Sequence, residues 1–146
     1  MRSIHPIIVL STLVVLWMTL TPRIADACSC DPPTLDDPRL TTFTEAVVVG
    51  RLIEWDAGTE MATLEVDAGW SKAGSVADTV DVRIDVTSDC ATQMAFEVGQ
   101  RYVMSLRQGP STPVGHYTTS DCELLEHVPA NTHDGVVAKV NALVSP

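Results

Sequence analysis

Basic side chains are scarce in this 146-residue chain: nine Lys and Arg stand against 19 Asp and Glu, a formal net charge of -10. That deficit excludes partners held through phosphate contacts, because a nucleic-acid backbone or an anionic membrane surface repels such a chain. Aromatic residues make up only 5%. With so few rings, Trp55 and Trp70 are expected to plug the ends of a small core and not to form a ligand platform. No HExxH, GxSxG or glycine-rich phosphate loop occurs, and the chemistry that each motif carries depends on that spacing of groups. His116, Asp121, Glu123 and Glu126 fall in one acidic stretch that reads as a solvated surface, so a non-enzymatic protein is expected, with no cofactor and no metal of its own. The Asp36-Asp37 pair lacks the further ligand spacing that calcium needs.

Long apolar runs are missing too. Residues 7–20 form the longest, 14 residues against the roughly 20 that a bilayer-spanning helix requires. Arg2 precedes this run, and Pro22 and Ala25-Asp26-Ala27 follow it. A basic start, an apolar stretch and a small-residue A-x-A site predict a signal peptide over 1–27 and export of residues 28–146 as one domain, secreted or periplasmic and free of the membrane after cleavage. Lipid attachment at Cys28 is the competing reading, for which Ala25 and Asp26 are poor neighbours. Loss of Arg2, Arg23 and Asp26 leaves seven basic and 18 acidic side chains, a net charge of -11.

All four cysteines, Cys28, Cys30, Cys90 and Cys122, lie in the exported part. An even count in an oxidising compartment reads as two disulfides. A bridge between Cys28 and Cys30 would strain across one intervening residue, so two long-range bridges remain, in either of two pairings. A zinc site built on C-x-C with His116, His127 or His133 is the lesser alternative, because zinc pairs usually follow C-x(2-4)-C.

Along the exported chain, residues 31–38 hold three prolines and three aspartates and must run extended across the surface. A short helix is expected over 39–45. Strands follow over 46–54, 62–70, 79–86, 101–107 and 115–124. The first is a β-branched run interrupted by Gly50, which suggests a bulge or bend. The second places Leu64, Val66, Ala68 and Trp70 on one face; the third turns Val80, Val82, Ile84 and Val86 inward and Asp81, Arg83 and Asp85 outward. After Pro129 the period becomes helical over 133–143, with Asn131 or Thr132 as cap and Val136, Val137, Val140 and Val144 along one face. Without crossover helices between strands, the sheet is expected to be mainly antiparallel and to close on itself. The fold class is thus mainly β: a five-stranded antiparallel OB-fold barrel with a short N-terminal helix and a C-terminal helix.

Cys28-Ser29-Cys30-Asp31-Pro32-Pro33 directly after the cleavage site, AVVVGRLI, Gly69-Trp70-Ser71-Lys72, Ser88-Asp89-Cys90, the segment from Phe96 to Tyr102, and His116-Tyr117-Thr118-Thr119 leading to Cys122 follow one another in a telling order. Over residues 28–125 the chain resembles the netrin-like module of the tissue inhibitors of metalloproteinases, in a reduced single-domain version with Ala91 where that family commonly carries glycine. The resemblance implies an OB-fold, the pairings Cys28 with Cys90 and Cys30 with Cys122, and a protease-contact ridge of Cys28, Ser29, Cys30, Asp31, Ser88 and Asp89. It also implies the mechanism: the Cys28 amine and carbonyl oxygen chelate the zinc of a target metalloproteinase, whose open position otherwise holds water. A free α-amine with pKa near ~7.7 to 8.0 loses its proton at neutral pH for about 1 kcal/mol. A zinc metalloproteinase is therefore the expected partner of a monomeric inhibitor. The alternative is a non-inhibitory extracellular binding module in which C-x-C only staples the N-terminus.

Overall fold

The computed structural model describes residues 33–85, 95–108, 116–120 and 123–143. The uncharged run after Glu45 has no polar face to offer water, and it becomes the central strand. β1 (Ala46–Asp56) pairs antiparallel with β2 (Met61–Ser71) on one side and with β4 (Arg101–Leu106) on the other. β3 (Thr79–Asp85) adds to β2, β5 (His116–Ser120) to β3, and β6 (Leu125–His127) to β4, in the order β5-β3-β2-β1-β4-β6. Helix α1 (Leu40–Phe43) leads into β1, and α2 (His133–Asn141) follows β6. The fold is mainly β, a curled half-barrel sheet with two helices among the described residues.

Two expectations are corrected by this sheet. It has six strands among the described residues and not five, because the chain after Ser120 starts a separate three-residue strand on β4. It is also not wholly antiparallel: β3 and β5 run parallel, with Asp81 opposite His116 and Asp85 opposite Ser120. A parallel pair needs a long connection, usually a helix. Here β4 lies within that connection, on the far side of β1, so no helix is required. The sheet curls until Arg107, just past β4, exchanges two backbone hydrogen bonds with Thr118 of β5, at 2.9 and 2.8 Å.

β1 is buried on both faces. Ala46, Val48 and Leu52 join Leu64, Val80, Val82, Ile84, Tyr102 and Met104 in the concave core, whereas Val47 and Val49 turn outward to a second cluster with Trp70, Val103, Leu124 and Val140. The expected single face of β2 is split between the two. Leu64 and Val66 point to the concave core; Ala68 and Trp70 point to the helix side. The register shows the reason: Gly50 pairs with Val66 and Val49 with Ala68, so Asp67 is an extra residue that reverses the alternation. Gly50 matches the signal read in the sequence, but the inserted residue sits on the neighbouring strand.

Helix α2 covers the second cluster with Val140 fully buried and Val136 and Val137 half-buried; Val144 lies outside the described residues. Thr132 stands at its N-cap, yet the hydroxyl donates to Pro129 O at 3.0 Å and closes the preceding turn without capping the helix. His133 Nε2 lies 3.1 Å from Asp67 Oδ2, which also accepts from Arg101 Nε at 2.9 Å. The bulge residue therefore links the start of α2 to β4.

Candidate functional site

The ridge residues Cys28, Ser29, Cys30, Asp31, Ser88 and Asp89, the cysteines Cys90 and Cys122, and the leader 1–27 lie outside the described residues. The structure does place the strands that lead to them. Asp85, five residues before Cys90, and Ser120, two before Cys122, are partners at the C-terminal ends of parallel strands. Pro33, three residues after Cys30, lines a cavity of about 210 Å³ together with Glu123, the residue after Cys122.

Glu123 belongs to the stretch read as solvated surface, and that expectation fails for it: the residue is only 8% exposed. It is held between β4 and β5 by backbone contacts on both sides. Glu123 N donates to Ser120 O at 3.0 Å, and the next residue, Leu124, accepts from Ser105 N at 2.8 Å. Glu123 Oε1 forms an ion pair with Arg107 Nε. Its other oxygen, Oε2, and the buried hydroxyl Thr119 Oγ1 have no hydrogen bond of ordinary geometry. Burial pushes the Glu123 carboxyl above its usual range, against the lowering effects of the Arg107 charge, the Thr119 hydroxyl and the Ser120 backbone.

The Arg107–Glu123 pair separates the Pro33 cavity from a larger one of about 430 Å³, lined by Glu60, Arg83, Asp85 and Thr119 as well as the pair itself. Arg83 Nη2 lies 3.6 Å from Glu60 Oε2. Nothing in the local sequence distinguishes Glu123 from Glu126, which is exposed; only the pairing of Leu124 with Ser105 brings one carboxylate inside.

Asp121 lies outside the described residues, and several of the other candidate groups are engaged in polar or ring contacts. Asp36 accepts from Lys139 Nζ at 2.7 Å, and Asp37 pairs with Arg39 at 3.0 Å, whose hydrogen bonds hold the Asp37 carboxyl below the usual range. His127 Nε2 lies 3.2 Å from Gln100 Oε1, and its ring packs edge-on to Tyr102. Trp55 meets Phe96, and Phe96 meets Tyr102, at ring separations of 5.0 and 5.6 Å, so these three rings pack in a row against the concave core, whereas Trp70 belongs to the second cluster. Among the described residues no three His, Cys, Asp or Glu side chains are grouped to hold a metal ion. Comparison with models of known protein families gives no match, and comparison with curated proteins gives none either.

Proposed function

We propose that the half-barrel is an OB-type module, exported and crosslinked by Cys28–Cys90 and Cys30–Cys122, that binds a protein partner and inhibits a zinc metalloproteinase through the Cys28 amine and carbonyl. The observation that carries this reading is the C-x-C pair directly after an A-x-A cleavage site. Cleavage there makes Cys28 the first residue, with a free five-membered N,O chelate. Two bridges hold Ser29 and Asp31 extended beside Ser88 and Asp89, so that a protease has little chain to order on binding.

Strand placement supports the crosslinks. The chain enters the segments carrying Cys90 and Cys122 from the adjacent ends Asp85 and Ser120, which favours two acceptors near one another for cysteines only one residue apart. Three residues span at most about 11 Å, so Cys30 stays within reach of the cavity that Pro33 shares with Glu123, next to Cys122. Closing loops of 62 and 92 residue steps (90 − 28 and 122 − 30) makes each bridge worth ~4 to 5 kcal/mol in chain entropy before strain. The curl of β4 onto β5 at Arg107 and Thr118 supports an OB-type barrel, a partly open five-stranded Greek key, with β6 as an addition.

Inhibition of a panel of zinc proteases by the exported protein tests the function, with mass spectrometry establishing that the Cys28 amine is free. One alanine added before Cys28 is expected to abolish inhibition and leave thermal stability unchanged. Equal inhibition by the extended form eliminates the chelate. Absence of inhibition by a correctly cleaved protein leaves the non-inhibitory binding module as the reading.

A further inference from the structure

Two apolar side chains stand in solvent at one end of the sheet: Ile53 is 43% exposed and Val98 61%. Residues 97–100 form a tight turn, closed by Gln100 N donating to Glu97 O at 3.1 Å, with Gly99 at φ 93° in its third position. Val98 occupies the tip, where proline or a polar residue is usual. Leu52 fastens this turn to β1: Leu52 N donates to Gln100 O at 2.9 Å, and Leu52 O accepts from Gly99 N at 2.7 Å. Ile53 thus follows directly on the residue that carries the turn, and Gly99 has no side chain with which to cover it. The same corner holds uncompensated negative charge. The register of β1 on β2 shifts between Leu52 and Glu54, and Leu52 and Trp55 both pack into the concave core, so Ile53 and Glu54 both turn outward. Glu97 is exposed next to Val98. Neither Glu54 nor Glu97 has an ion pair or a side-chain hydrogen bond among the described residues. The cations nearest to them in the chain, Arg51 and Arg101, already contact Glu65 and Asp67. A second copy of this chain would set like charges against each other, so the surface does not fit itself.

We propose that this corner is a docking surface for a partner protein that presents an apolar side chain of leucine or methionine size flanked by lysine or arginine. The apolar group covers Ile53 and Val98, and the flanking cations meet Glu54 and Glu97. The surface is built from described residues and does not depend on the Cys28 chelate.

Amide NMR of the isotope-labelled exported protein, titrated with the end-blocked peptide Gly-Lys-Leu-Lys-Gly, tests the surface. Saturable shifts centred on Ile53, Glu54 and the turn from Glu97 to Gly99 are expected, and added salt should weaken them by screening. The control peptides Gly-Lys-Ser-Lys-Gly and Gly-Glu-Leu-Glu-Gly, which lack the apolar group and the cations respectively, should bind more weakly. Val98→Ser and Glu97→Gln are each expected to weaken binding at least about threefold, through lost apolar cover and a lost ion pair. Equal binding of the serine peptide reduces the effect to general attraction by an acidic chain and overturns the proposal. Shifts centred elsewhere, or unchanged affinity in either correctly folded variant, have the same force; if one variant loses the native spectrum, the other decides. Concentration-dependent shifts at these amides without peptide would give the surface to a second copy and equally overturn the assignment.

Discussion

Gly50 faces the backbone carbonyl of Glu65 so closely that a Cβ on Gly50 would stand 2.5 Å from the oxygen. The register shift at Asp67 falls at this point, and the atoms that a Cβ would meet are all backbone of Glu65 and Val66, with no flexible side-chain end to swing aside. Gly50→Ala is expected to destabilise the protein by roughly 1–3 kcal/mol, the usual cost of overpacking a closed site. Chemical denaturation at fixed pH measures it, and an unchanged midpoint would show that the bulge yields freely.

Glu123 has a raised carboxyl pKa, so protonation favours the folded state. The sign follows from linkage: its stabilising contribution is complete below the ordinary value of 4.5 and is lost as pH rises through the higher folded value. Glu123→Gln keeps the volume and removes the charge. Thermal midpoints of variant and wild type should converge at acid pH, with the variant gaining on the wild type as pH rises. A gap that widens toward acid would contradict the assignment.

Asp56 behaves in the opposite sense. Its carboxylate accepts from Thr59 Oγ1 and Gly58 N, both at 2.8 Å, and these bonds lower its pKa below 3.8. Its contribution is present above 3.8 and disappears as pH falls through the lower folded value. Asp56→Ala should lower the thermal midpoint at neutral pH by loosening the β1–β2 turn, and that deficit should shrink in strong acid.

Gly135 lies in α2 with no positive φ, and a Cβ added there would meet no atom within 4 Å. Gly135→Ala should stabilise the protein by about 0.5–1 kcal/mol, because alanine loses less backbone freedom on entering a helix. A rise in the denaturation midpoint with unchanged slope would confirm it.

Hydrophobic pattern alone made β1, β3 and α2 legible. Val80, Val82 and Ile84 are buried as their alternation demands, and the run at Ala46 is enclosed on both sides. The split of β2 was not legible, since Leu64, Val66, Ala68 and Trp70 keep perfect alternation while the backbone inserts Asp67 against Gly50. The parallel β3–β5 pair was hidden because the described part of its connection carries the strand β4, where such a connection normally carries a helix. Glu123 was hidden for a related reason: its burial follows from the long-range contact of Leu124 with Ser105, which local acidity conceals.

The two-sided burial of β1 also bears on the chain before it folds. Ala46-Val47-Val48-Val49 has strong strand propensity and no charge, the composition of an aggregation-prone segment. Glu45 and Arg51 flank it and are exposed in the native fold, where they act as gatekeepers against pairing between unfolded copies. Replacing either with an apolar residue would endanger the yield of soluble protein far more than the stability of molecules already folded, so expression level and denaturation midpoint would part company at these two positions.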